Sequence, residues 1–237
     1  MGNQGLSSKW DDNVNVLITG ATGNIGHACV QEAVTRHWDY DGIARHSLAT
    51  PHVYSVDLCV PEAVETFLIG HGVRYDLVVM AHGTQCARPL CEFDEDYILG
   101  MMDNNLLSFI NLTSWLARGH VVNDGGLIVY CSSIQASNPR AGRGAYAICK
   151  AGIEALARSA AVEMAPVRTV AFRLGQLTET MKGVSFDPVQ RQSLEARSIL
   201  PWVEPCDVAK LCFDLYTQKS LTGATLDLSS GHILNIW

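Results

Sequence analysis

The sequence predicts an α/β fold: one doubly wound domain around a seven-stranded, mainly parallel sheet flanked by helices. Three observations carry this. Short β-branched runs alternate along the chain with longer amphipathic ones, which is the order of repeated βα units. The first of these runs, Val14 to Thr19, is almost continuously apolar, as a strand buried on both faces must be. The 237 residues contain no internal repeat, low-complexity tract or Gly/Ser linker, so one domain over 1–237 is expected.

The elements follow in order. After the first strand, Ile25 to Arg36 reads as a helix, Tyr40 to Ala44 as a second strand and Val53 to Val56 as a third. Pro61 suits the first turn of a helix running to Ile69. Asp76 to Ala81 is a fourth strand, a long helical stretch covers about Phe93 to Ala117, and Leu127 to Cys131 is a fifth strand. Ala145 to Met164 places Ile148, Ala151, Gly152, Ala155, Leu156, Ser159 and Ala160 at helical spacing, and Pro166 ends that helix. Arg168 to Leu174 and Ala224 to Leu228 complete the sheet, with a helix from about Asp207 to Tyr216 between them. Residues 1–13 are expected to be a flexible N-terminus, and 181–202 a short lid over a substrate site.

Composition narrows the function. With 48% apolar and 17% charged residues the chain has ample core material. Seventeen basic against twenty-four acidic residues give a net charge of −7, without any Lys/Arg run, which argues against an electrostatic surface for nucleic acid or anionic membrane. No apolar run approaches the length of a membrane span and Met1 to Asn13 is polar, so a cytoplasmic protein is expected. The eight cysteines include no C-x-x-C pair and read as small core hydrophobes; no set of four cysteines and histidines has metal-ligand spacing.

Thr19-Gly20-Ala21-Thr22-Gly23-Asn24-Ile25-Gly26 lies between the first strand and its helix. Glycines here permit a tight turn and let a pyrophosphate approach backbone N–H groups at the positive end of a helix dipole. Farther on, Tyr146 and Lys150 stand four residues apart on one helix face, where an ammonium is expected to lower a tyrosine pKa. Ser133 follows the fifth strand, thirteen residues before Tyr146.

With this loop, serine and Y-x-x-x-K pair, the sequence resembles the short-chain dehydrogenase/reductase family over nearly its whole length, which implies a Rossmann fold. Gly20, Gly23 and Gly26 have the spacing of the family's extended members, and Asn24 stands where the common loop has a third glycine. The resemblance implies cofactor contacts from Gly20, Thr22, Gly23, Asn24, Ile25 and Gly26, and, after the fourth strand, from Ala81, His82 and Gly83. His82 is unusual in that segment and reads as a loop or sheet-edge residue. Asp57, with Leu58 beside it, matches the position that meets the adenine, while Gly175 and Leu177 would border the nicotinamide. The second strand ends Ala44-Arg45, and an arginine there pairs with a 2′-phosphate, so NADP(H) is expected ahead of NAD(H); Asp39 and Asp41 are the competing acids.

The implied catalytic set is Ser133, Tyr146, Lys150 and Asn105, with Asn104 as the neighbouring alternative to Asn105 and Ser132 to Ser133. Ser133 would orient a substrate oxygen, Tyr146 would exchange its proton, Lys150 would bind the ribose as well as act on the tyrosine, and Asn105 would support a water path to the lysine. The implied function is reversible reduction of a ketone or 3-oxoacyl carbonyl to a secondary alcohol, in a homodimer or homotetramer built on the two long helices. Two other readings stand beside it: a dinucleotide-sensing binding protein, and an epimerase or dehydratase of the extended type. Phe186 and Trp202 suggest an apolar pocket wall, with core or interface positions as the equal alternative, and Arg143 could meet an acidic group or be a solvated loop residue.

Overall fold

A computed structural model of the chain describes residues 14–46, 50–179 and 186–234. The seven strands form one sheet in the order β3-β2-β1-β4-β5-β6-β7, with every pair parallel. They are β1 Asn15–Thr19, β2 Asp39–Ala44, β3 Val53–Ser55, β4 Tyr75–Met80, β5 Val122–Ser133, β6 Arg168–Leu174 and β7 Ala224–Leu228. The strand order reverses between β1 and β4, which opens a crevice at their carboxyl ends.

Side chains alternate across each strand, so the sheet feeds two cores. Val16, Ile18, Leu77 and Val79 pack toward one side with Cys29 and Ala33 of α1 (Asn24–Arg36) and Val208, Cys212 and Phe213 of α7 (Pro205–Tyr216). Leu17, Val78, Met80 and Ile128 face the other, against Val64 of α2 (Pro61–His71), Phe109 and Leu112 of α4 (Ser108–Arg118), and Ile153 of α5 (Gly144–Glu163). Cys29, Cys131, Cys149 and Cys212 are buried among these apolar groups as expected, whereas Cys86, Cys91 and Cys206 are exposed; all eight are free thiols.

The expected elements form, with three differences. β5 starts at Val122 rather than Leu127, because Val122 pairs with Tyr75 across a register shift and Gly125 takes a φ of +73°. The long helix is interrupted: α3 (Glu95–Met102), capped by Asp94 on Tyr97 N–H at 2.8 Å, passes into a π-helical turn, Asp103–Leu107, before α4. The segment expected to form a lid contains a helix, α6 (Pro188–Glu195), whose Asp187 and Gln190 form a reciprocal capping box. That D-P-x-Q signal was present in the sequence. The expected flexible segment 1–13 and residues 181–185 of the expected lid lie outside the described residues.

Candidate active site

One cavity of about 450 Å³ runs along the carboxyl edge of the sheet from the β2 terminus, past the β1 loop, to the start of α5. All the sequence-predicted site residues line it except Gly26 and Asn105.

The glycine loop builds one end. Gly20 has a φ of +67°, its carbonyl accepts the Gly23 N–H at 2.8 Å, and a Cβ there would come 2.9 Å from Ala81 O. Gly26 lies beneath the turn: a Cβ would sit 2.1 Å from Gly20 O, so it shapes the loop from below rather than facing the cavity. Gly23 is the N-cap of α1, and Asn24 and Ile25 line the wall, turning the positive end of that helix toward the space. This backbone cradle, which a Cβ would fill, fits a pyrophosphate.

Arg45 is exposed on the same wall beyond Ala44. Its rivals are placed elsewhere. Asp39 opens β2 at the opposite edge of the sheet, and Asp41 is buried, accepting from the Tyr75 hydroxyl at 2.8 Å and lying 3.3 Å from His71 Nε2. Asp57 accepts the Cys59 N–H at 2.9 Å, which holds the turn carrying Leu58.

His82 lies in the loop directly after β4, as expected, with its ring held inward and uncharged. Its Nδ1 lies 2.6 Å from Thr19 Oγ1, its Nε2 3.0 Å from Ser108 Oγ, and its ring stacks on Phe109 at 3.9 Å. Burial, assisted by the charges of Lys150 and Arg45, pushes it down to about 3, so it is a neutral imidazole in the wall.

Asn105 sits fully buried in the π-helical turn. Its Oδ1 accepts the Thr84 N–H at 2.9 Å and its Nδ2 donates to Met101 O at 3.0 Å. A Cβ on Gly83 would be 2.9 Å from that Oδ1 and 3.7 Å from Lys150 Nζ, so Asn105 stands behind Gly83 and beside the lysine. Asn104 is the one that lines the cavity, with its amide donating back to Gly100 O.

Ser133, Tyr146 and Lys150 come together on the wall of the cavity away from the glycine loop. Ser132 is turned away, donating to Lys150 O and lying 3.0 Å from Glu154 Oε1, while Ser133 Oγ accepts the Gln135 N–H at 3.2 Å and interacts with the Tyr146 hydroxyl. Lys150 Nζ donates to Cys131 O at 2.8 Å and lies 5.3 Å from the Phe109 ring centre and 5.5 Å from that of Tyr146. Burial draws the lysine down to about 8. It also pushes Tyr146 up to about 12, opposed by the Ser133 hydrogen bond and the charge of Arg143. The expected lowering of Tyr146 by Lys150 is not seen here: burial dominates, and the ammonium is directed at the Cys131 carbonyl rather than at the phenol.

At the far end Gly175 packs against Ser229, where a Cβ would meet Ser229 Cα at 2.6 Å, and Leu177 makes an isolated bridge with Val203. Phe186 lines the cavity as expected, but Trp202 does not: it is buried behind, with Phe186 edge-on at 6.2 Å, and borders a separate depression. Thr84, Gln85, Gln135 and Arg140 also form walls and were not read from the sequence. Their segments are irregular, so no periodicity reports them. Among the described residues no group of three or more His, Cys, Asp and Glu could hold a metal ion, and no helix is long and apolar enough to cross a membrane.

A doubly wound parallel sheet with a glycine loop at one end of its crevice and a Ser, Tyr and Lys cluster at the other defines a class of α/β oxidoreductase. Within that class, the family model described as Enoyl-(Acyl carrier protein) reductase matches residues 43–232, and the chain belongs to the short-chain dehydrogenase/reductase family. That match begins beyond the glycine loop, which stands on its own geometry. The chain is 29% identical over 176 residues to a 3-oxoacyl-[acyl-carrier-protein] reductase of Chlamydia pneumoniae, covering 73% of this chain and 71% of that protein. Its fold is similar to a short chain dehydrogenase of Burkholderia cenocepacia solved with NADP, at 20% identity and a TM-score of 0.81 over 92% of this chain and 97% of that one. It is also similar to 4-hydroxyisoleucine dehydrogenase complexed with NADH, at 20% identity and 0.83 over 93% and 98%.

Proposed function

We propose that this oxidoreductase reduces a ketone or 3-oxoacyl carbonyl to a secondary alcohol with NADPH. The observation that carries the reading is the continuity of one cavity from the glycine cradle to the hydroxyls of Ser133 and Tyr146. The resemblance to a 3-oxoacyl reductase supports the carbonyl class, and Arg45, at a strand end without a carboxylate, supports the 2′-phosphorylated cofactor over NADH. Gly20, Gly23 and the N-terminus of α1 would hold the pyrophosphate, Asp57 and Leu58 would flank the adenine, and Gly175 and Leu177 the nicotinamide. When bound, the nicotinamide supplies the hydride.

The chain's own residues supply the rest. Tyr146 is a phenol at neutral pH, which makes it a donor ready to protonate an oxygen that gains negative charge. The Ser133 hydroxyl beside it holds that oxygen in reach. Lys150, half titrated near pH 8, can return a proton to the tyrosine without a large energetic step, and Asn105 braces the backbone at Gly83 next to it.

The exposed apolar residues Leu99, Leu107, Ile110 and Ile148, with the outward-facing Ala151 and Ala155, support self-association through α3, α4 and α5. Light scattering at micromolar concentration should give twice or four times the one-chain mass.

The test is a screen of ketones, 3-oxoacyl thioesters and alcohols against NADPH and NADH, following absorbance of the reduced cofactor. NADPH oxidation that depends on a carbonyl and on Tyr146 is expected. Tight NADPH binding with no turnover on any carbonyl would overturn the enzymatic reading in favour of a sensor.

A further inference from the structure

The turn between Ser133 and α5 carries two arginines that the proposed chemistry does not use. Arg140 and Arg143 both line the cavity that contains Ser133 and Tyr146. Their backbone is held to the site on three sides. Gln135 donates its N–H to Ser133 Oγ at 3.2 Å and, from its side chain, accepts the Arg140 N–H at 2.8 Å. Arg143 N–H closes the turn onto Arg140 O at 3.0 Å, and Gly142 O accepts the Arg88 N–H at 2.9 Å. Arg143 is also the N-cap of α5, three residues before Tyr146.

Neither guanidinium has a carboxylate partner among the described residues: the ion pairs of Arg36, Arg88, Arg173 and Arg191 all lie elsewhere. Glu179 borders the same cavity without pairing with either arginine, and residues 180–185 contain no acid. Both arginines are half-buried. Burial lowers the pKa of Arg140, and the neighbouring charges of Arg143 and Arg197 lower it further. His232, buried and close to Arg140 and Arg197, is pushed down and adds no negative charge. A chain with a net charge of −7 thus gathers cations at one point, against mutual repulsion and desolvation. The forked guanidinium is suited to a planar or tetrahedral oxyanion, so a ligand that brings one relieves both costs.

We propose that Arg140 and Arg143 are the specificity determinants of this site, and that its carbonyl substrate carries an anionic group, a carboxylate or a phosphate, which they bind while Ser133 and Tyr146 engage the reacting oxygen. This rests on the carbonyl-reductase reading, and binding separates the two.

With NADP+ present to fill the cofactor end, the probes are 3-oxooctanoate with its methyl ester and a hydroxyketone phosphate with its unphosphorylated parent, titrated by calorimetry. At least one anion should bind about tenfold or more tighter than its neutral partner, as charge-assisted hydrogen bonds imply. An advantage confined to the acid identifies a carboxylate, and one confined to the phosphate a phosphate. The double variant Arg140→Gln/Arg143→Gln should abolish the difference while NADP+ affinity holds and the thermal midpoint does not fall; if it fails to fold, Arg140→Lys and Arg143→Lys singly should each reduce it. Equal binding within both pairs, no measurable binding of either anion, or an advantage that survives these substitutions overturns the proposal. If the anion binds as expected but is not reduced in a Tyr146-dependent way, the carbonyl-reductase reading fails and the anion site stands.

Discussion

The two ends of the cavity are built by different means. At the β1 end the surface is backbone: a left-handed Gly20, an N-cap Gly23 and a Gly26 with no room for a methyl group leave N–H groups and a helix dipole as the contacts. At the β5 end the surface is side chains, with Ser133, Tyr146, Arg140 and Arg143 gathered from an irregular turn and a helix start. The first end is intolerant of almost any atom added. The second is open to exchange of one functional group for another, so it is where the proposed chemistry and specificity would reside.

Substitutions can break this contrast, beginning with the largest effect. Tyr146→Phe should lower turnover by about 10² to 10⁴ while NADPH affinity holds, since it removes only a hydroxyl at the side-chain end; comparable turnover would remove Tyr146 from the chemistry. Gly26→Ala, at the backbone end, should cost about 1 to 3 kcal/mol or more in urea unfolding, because the new methyl meets Gly20 O at 2.1 Å. Gly70→Ala is the matched control: it lies in α2 with nothing within 4 Å of the added Cβ, and should stabilise by about 0.5 to 1 kcal/mol. Arg45→Asp should narrow or reverse the preference for NADPH over NADH in calorimetry; equal affinities in the native protein would remove that assignment.

A further effect is in pH. Lys150 titrates near 8 in the folded protein, whereas the unfolded lysine keeps its proton to about 10.5. Between these values the unfolded chain binds more protons, so this group makes stability rise with pH, by at most about 1.4 kcal/mol per pH unit. Denaturation of the native protein and Lys150→Met side by side cancels most of the thiol titrations, and the native protein should gain on the variant from pH 8 to 10. Tyr146, raised to about 12, acts in the opposite sense only above pH 10.

Local order is what the sequence could report. The strands, the glycine turn and the Tyr146/Lys150 pair each depend on residues a few positions apart, where backbone propensity and periodicity decide the outcome. Arg45 follows Ala44 at the end of β2, and Ser133 rather than Ser132 interacts with Tyr146, both as the resemblance to the family implied. The tertiary structure decided the rest, through burial and contacts between distant segments. It made His82 a neutral wall residue between Thr19 and Ser108, tied Asp41 to Tyr75, withdrew Asn105 behind Gly83 and put Trp202 outside the cavity. It also held Tyr146 protonated where the four-residue spacing alone implied an easier ionisation. Spacing specifies which groups are neighbours, but a pKa and a partner depend on how much water and which dipoles surround them, and those are properties of the folded chain.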